Sequence, residues 1–211
     1  MEKEVRSLDI SPMAANDRMI SGYALKFNTV SNLIRSKDQS FFEIIMPGAI
    51  TEQFIYNQDV KCFFNHCEDS GILARSNKGK GSLSLTVDST GVFYSFKAKN
   101  SPLDEQVYQS IKAGDITGSS FAFTVAEGGD KWERSGNQLI RRIYKIGGFW
   151  DVSPVVNPAY NSSSVSARNI QQVTNTEDLR AYHQNLQNII DEAKNTGLKQ
   201  YYADMKKQYR L

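Results

Sequence analysis

Residues 83–96 read LSLTVDSTGVFYSF, two short runs rich in β-branched and aromatic side chains around Asp88-Ser89-Thr90-Gly91. An Asp at the head of a turn bonds the backbone two residues on, and a Gly at its end suits a tight return. The stretch therefore predicts a β-hairpin. On its N-terminal side, Arg18–Phe27 (RMISGYALKF) alternates apolar and polar residues as a half-buried strand does. Phe41–Met46 (FFEIIM), closed by Pro47-Gly48, and Val60–Phe64 (VKCFF) read as further strands. On its C-terminal side, Ser120–Val125 and Leu139–Ile146 read as strands about a polar loop. Between these blocks, Leu103–Ala113 has helical spacing and ends before Gly114, a C-terminal cap. Many strands and few helices predict a mainly β fold of the α+β class: a closed β-barrel with peripheral helices.

The pattern changes after residue 168. Asn169–Asn175 is a polar linker, and Thr174 with Glu177 forms a capping box. Leu179, Tyr182, Leu186, Ile189, Ile190 and Ala193 then follow the spacing of an amphipathic helix. Asn195-Thr196-Gly197 interrupts it, and Leu198, Tyr201, Tyr202, Met205 and Tyr209 resume it. The expected division is a main domain over 1–168 and a linker with a two-helix C-terminal tail over 169–211.

Composition narrows the function. Of the 211 residues, 40% are hydrophobic and 11% aromatic, enough to build a core. Lys and Arg total 25 against 23 Asp and Glu, a net charge of +2, with no basic block of the kind nucleic-acid binding needs. The first ten residues, MEKEVRSLDI, have no apolar core of a secretory signal, and no apolar run approaches the roughly 20 residues that cross a bilayer. The two cysteines, Cys62 and Cys67, make no disulfide framework, so a reducing cytoplasm is expected.

Three segments carry groups that could do chemistry. Of the two histidines, His183 falls in the tail, whereas His66 follows an apolar strand (VKCFFNH) and precedes a polar loop. His66 is the candidate general base; a structural role is the alternative. Gly114–Phe123 (GDITGSSFAF) feeds glycines and hydroxyl residues into an apolar strand, a turn that can present a Ser Oγ and backbone N–H groups, or simply a turn. Asp151 stands between Trp150 and Val152 in a largely apolar stretch, where a carboxylate needs a partner. That partner is an imidazole nitrogen, the backbone of a turn that Asp151 caps, or one of Arg141 and Arg142. Cys62, His66 and Cys67 with Glu68 or Asp69 match no standard zinc spacing, so no metal or cofactor is expected.

Together the motifs resemble the prohead protease family of tailed bacteriophages, related to the herpesvirus capsid-maturation proteases. The resemblance runs over residues 18–168. It comprises Gly22-Tyr23-Ala24 and Phe27, Phe42–Ile45 with Pro47-Gly48-Ala49, Asn65-His66, Gly114-Asp115-Ile116, Ser120–Phe123, Asp151–Val155, Asn157–Tyr160 and Arg168. It implies a serine endopeptidase on a closed β-barrel of the herpesvirus-protease type, with His66 as base, Ser120 as nucleophile and Asp151 as the orienting third member. Ser119 and Cys67 are the rival nucleophiles; the family register favours Ser120. Backbone N–H groups near Ser120 are the natural oxyanion donors, with Arg141 or Arg142 an addition.

The implied substrates are the phage scaffold protein, scaffolding segments of the major capsid protein and the chain's own tail, cut inside the assembling prohead in the bacterial host cytoplasm. The herpesvirus relatives raise homodimerisation as a control on activity. No nucleic-acid or membrane partner is implied. The competing reading is an inactive assembly module that keeps the fold and binds scaffold.

Overall fold

The computed structural model describes residues 3–8, 11–36 and 39–156. The first strands are β1 (Glu4–Leu8), β2 (Met13–Ala14), β3 (Met19–Lys26), β4 (Ile34–Arg35) and β5 (Ser40–Ile45). Helix α1 (Glu52–Tyr56), β6 (Asp59–Cys62), a 3₁₀ turn at Glu68–Ser70, β7 (Ala74–Asn77) and β8 (Lys80–Gly81) follow. The hairpin β9 (Leu83–Val87) and β10 (Gly91–Lys97) leads to α2 (Pro102–Ala113). The described residues end with β11 (Gly118–Val125), β12 (Asp130–Ser135), β13 (Gln138–Ile143) and β14 (Ile146–Val155).

Local chemistry explains the clearest of these elements. Asp88 Oδ1 accepts the N–H groups of Thr90 at 2.7 Å and Gly91 at 2.9 Å, which locks the β9–β10 turn. A Cβ on Gly91 would sit 2.0 Å from the Leu25 carbonyl oxygen, so the turn also needs a glycine where β10 meets β3. Helix α2 starts at Ser101, whose hydroxyl accepts the Asp104 N–H, has Pro102 in its first turn, and stops at Gly114 with φ of +83°.

The expected closed barrel does not form. The strands divide into a six-stranded sheet β1-β11-β14-β6-β7-β8 and two four-stranded sheets, β2-β3-β10-β9 and β12-β13-β5-β4. Each sheet ends on edge strands. Two-residue strands (β8, β2 and β4) stop three of the ladders, and β12 exposes Lys131, Trp132, Glu133 and Arg134, an edge whose charges discourage further pairing. Only two α-helices flank the sheets among the described residues. The two-helix tail, His183 and the boundary at residue 168 lie outside the described residues.

The core lies between the sheets. Phe121 of β11 packs against Phe123 of the same strand and Phe149 of β14, ring centroids 5.3 and 5.9 Å away, and Ile20, Leu25, Tyr94 and Phe96 are fully buried nearby. Because side chains alternate along a strand, the opposite face of β11 carries Ser120, Ala122 and Thr124. Antiparallel register sets Ser120 opposite Ser153 and Ala122 opposite Asp151 on that same face. Strand β6 runs parallel to β14, Lys61 beside Asp151 and Cys62 beside Val152, so the loop that leaves β6 rises next to both.

Candidate active site

After β6 the chain turns through two successive left-handed residues, Asn65 (φ +52°) and His66 (φ +56°). Asn and His tolerate this region better than most residues but still pay a conformational penalty, so the turn must be held from outside. Backbone bonds from Phe63 N–H to Val152 O and from Asn65 N–H to Pro154 O fasten it to β14. Asn65 Oδ1 accepts the Val156 N–H at 3.0 Å. The imidazole is thereby folded back over the Ser120–Asp151 face.

Three side chains from three separate segments meet there. His66 Nδ1 lies 2.5 Å from Asp151 Oδ1, and His66 Nε2 lies 2.5 Å from Ser120 Oγ. Asp151 is 2% exposed, and a carboxylate so buried needs compensating partners. It has three: His66, the Ser153 hydroxyl donating to Oδ1 at 3.2 Å, and Lys3 Nζ at 3.4 Å from Oδ2. An ionised Asp151 favours the tautomer with hydrogen on Nδ1, which turns the Nε2 lone pair toward the Ser120 hydroxyl.

The neighbouring hydroxyl goes elsewhere. Ser119 faces the core, its Oγ 3.0 Å from the buried Tyr94 hydroxyl, whose ionisation burial opposes strongly. Cys67 accepts a hydrogen bond from Ser70 Oγ, and Cys62 is buried with a thiol pushed well up by desolvation. No group of three or more His, Cys, Asp or Glu side chains arranged to hold a metal occurs among the described residues.

Two residues escaped the sequence reading. Ser7, in a strand with no obvious periodicity, donates its hydroxyl to Ser120 Oγ at 2.8 Å. Ser153 belongs to the apolar stretch around Asp151, and its i, i+2 spacing from Asp151 on a strand was the signal that could have found it.

The two arginines considered as oxyanion donors are committed to carboxylates away from the triad geometry. Arg141 pairs with Glu4 (2.6 Å), Glu43 (3.1 Å) and Asp130 (2.6 Å), and the buried Arg142 with Glu133 (3.2 Å). Arg6 joins the same cluster through two bonds to Glu43, at 2.7 and 3.0 Å. Burial pushes the Glu43 carboxyl up from its ordinary range, against the pull of Arg6 and Arg141.

The sequence model of the Caudovirus prohead serine protease family matches residues 2–177. No match emerges among curated proteins or solved structures.

Proposed function

The chain belongs to the caudovirus prohead serine protease family, a group of phage capsid-maturation enzymes, and from that premise we propose that it is a serine endopeptidase with Ser120 as nucleophile, His66 as general base and Asp151 as the orienting carboxylate. The observation that carries this reading is the unbroken line Asp151–His66–Ser120, with 2.5 Å at each joint. A serine hydroxyl is a poor nucleophile until a base removes its proton as it attacks, and Nε2 is within reach to do so.

The steps follow from that geometry. Ser120 Oγ bonds to the scissile carbonyl carbon as His66 takes its proton. The imidazolium so formed faces the Asp151 carboxylate, which stabilises it and holds the ring in register. His66 next gives the proton to the leaving amine as the C–N bond breaks. Water then repeats the sequence on the acyl-enzyme and regenerates Ser120. Ser153 donates to the same Oδ1 that His66 uses and Lys3 faces Oδ2, so both oxygens of the buried carboxylate have partners.

The substrates in this reading are the scaffold protein and scaffolding segments of the capsid protein, inside the assembling prohead. The chain's own polar segment 169–175 is a further target, since a protease cleft takes peptide in extended form and a polar sequence can adopt it there. No helix among the described residues is long and apolar enough to cross a membrane.

The test is co-expression with the neighbouring scaffold and capsid proteins, read by intact-mass spectrometry. Defined truncations with wild type and none with Ser120→Ala or His66→Ala, a loss of roughly 10⁴- to 10⁶-fold, are the expected result. Equal truncation by wild type and Ser120→Ala removes the nucleophile assignment. Intact masses throughout, in particles that assemble, favour a scaffold-binding module instead.

A further inference from the structure

Ser120 has 0% exposure, an odd state for a nucleophile that must meet a protein substrate. Part of what covers it is β1. Its Oγ touches three groups: His66 Nε2 at 2.5 Å, Ser7 Oγ at 2.8 Å and the Arg6 carbonyl oxygen at 2.9 Å. Ser120 has one hydrogen to give and two acceptors for it. If the hydrogen goes to Arg6, the base has nothing to remove; if it goes to His66, the Arg6 carbonyl is left against an oxygen lone pair. In either state a substrate carbonyl carbon cannot approach to the roughly 3–3.5 Å that attack requires. Strand β1 must leave first.

The fold allows that departure. β1 ends the six-stranded sheet and pairs with β11 alone, antiparallel from Glu4↔Phe123 to Leu8↔Ser119. Its removal bares the main-chain donors and acceptors of β11 beside Ser120, an edge onto which an extended peptide can add. The Arg6 side chain turns to the other face of the sheet, its guanidinium on the buried Glu43 carboxylate and 5.7 Å from the Phe123 ring centroid. Leu25, Thr29, Ser31 and Phe121 line the same cavity with Lys26, whose ammonium lies 5.5 Å from the Tyr23 ring centroid. Glu43 also bonds Arg141 at 3.1 Å, so its charge keeps a partner when β1 withdraws.

We propose that the β11 edge now covered by β1 is the binding site for the substrate main chain, and that Glu43 selects a basic side chain in the position of Arg6. β1 is then the enzyme's own strand held in the substrate's path. The main-chain carbonyl beside Ser120 is that of Arg6, so the basic residue is the one that immediately precedes the scissile bond. The inference rests on the reading of Ser120 as nucleophile.

The experiment compares two coumarin amides on the full-length chain, acetyl-Lys-Glu-Val-Arg, which copies residues 3–6, and acetyl-Lys-Glu-Val-Glu. Release of coumarin from the Arg amide at least about 100-fold faster is expected, and Glu43→Gln narrows the ratio to below about 10-fold. A second measurement uses V5C/A122C, cross-strand partners in β1 and β11, whose disulfide ties β1 down. The oxidised protein is expected to lose at least about 90% of the activity that the same sample shows after reduction, since a tied strand keeps the edge occupied. Equal rates on the two amides, or an oxidised V5C/A122C as active as the reduced form, overturn the proposal. So does a wild-type chain that truncates scaffold but leaves the Arg amide untouched. Truncation of scaffold by Ser120→Ala at the wild-type rate instead brings down the nucleophile reading on which the proposal stands.

Discussion

Ser119 and Ser120, adjacent in β11, point their hydroxyls to opposite faces of the sheet: one lies 3.0 Å from Tyr94 OH in the core, the other 2.5 Å from His66 Nε2. The strand's alternation thus separates a structural serine from a candidate nucleophile one residue away. Ser119→Ala is expected to retain turnover within a few-fold and to lower stability by about 1 kcal/mol, because Tyr94 loses a buried partner. Urea unfolding and scaffold cleavage on the same preparation check both halves. A Ser119→Ala enzyme as dead as Ser120→Ala would contradict the separation.

Ser153 acts through the Asp151–His66 pair, since its hydroxyl donates to Asp151 Oδ1 at 3.2 Å and lies 3.4 Å from His66 Nδ1. Ser153→Ala is expected to lower kcat by about tenfold with KM little changed, as befits a group that steadies the transition state through another residue. Asp151→Asn costs more than Ser153→Ala and less than His66→Ala. Steady-state kinetics on a cleavable peptide give the order directly; a rise in KM alone for Ser153→Ala sinks this role.

Cys67 follows His66 directly in sequence but spends its sulfur on Ser70. Cys67→Ala is expected to cleave scaffold at close to the wild-type rate, and iodoacetamide to leave turnover unchanged while Cys62 stays buried. A Cys67→Ala enzyme slowed a hundredfold or so would revive the thiol as nucleophile.

The hairpin turn carries an acid-sensitive element. The Tyr23 hydroxyl, with the Gly91 and Thr90 N–H groups, holds the Asp88 carboxyl below its ordinary range. A folded-state value below the unfolded one means stability that is present above the unfolded carboxylate range and lost as pH falls through the folded value. Asp88→Ala is expected to cost at most about 1 kcal/mol at pH 7, because the turn is exposed. The gap between wild type and variant should shrink toward pH 3 in urea titrations; a gap that widens in acid reverses the sign.

Much of the fold was legible because the deciding signals are local. The turn chemistry of Asp88 and Gly91, the alternation of Met19–Lys26 and the capping of α2 each depend on near neighbours, and the structure keeps them within a residue or two of expectation. What failed depends on distant pairing. The barrel was inferred from strand count, but closure requires edges that continue, and edge strands of two residues or of exposed charges do not advertise themselves in a pattern. β12 read as a loop because four of its six residues are exposed, which erases alternation. The Leu139–Ile146 run breaks at Tyr144 and Lys145, whose N–H groups both turn to Gly129 O. At the site, His66 stood out as one of two histidines and Asp151 as a carboxylate in an apolar stretch, whereas Ser120 was separated from Ser119 only by the family resemblance. Ser7 did not stand out, because nothing near it in sequence shows that β1 lies across β11.

The order of these segments along the chain has a consequence in time. The carboxylate that completes the hydrogen-bonded line comes from β14, 85 residues after the histidine it touches, and the parallel β6–β14 pairing that aligns them joins Lys61 and Cys62 to Asp151 and Val152 of the last described strand. Contacts so far apart in sequence form late in folding, after the local hairpins and helices. A nascent chain still short of residue 151 contains histidine and serine but no complete relay. Completion of the line does not uncover it: in the finished sheet β1 still lies over Ser120, so assembling the three groups and exposing the serine are separate events.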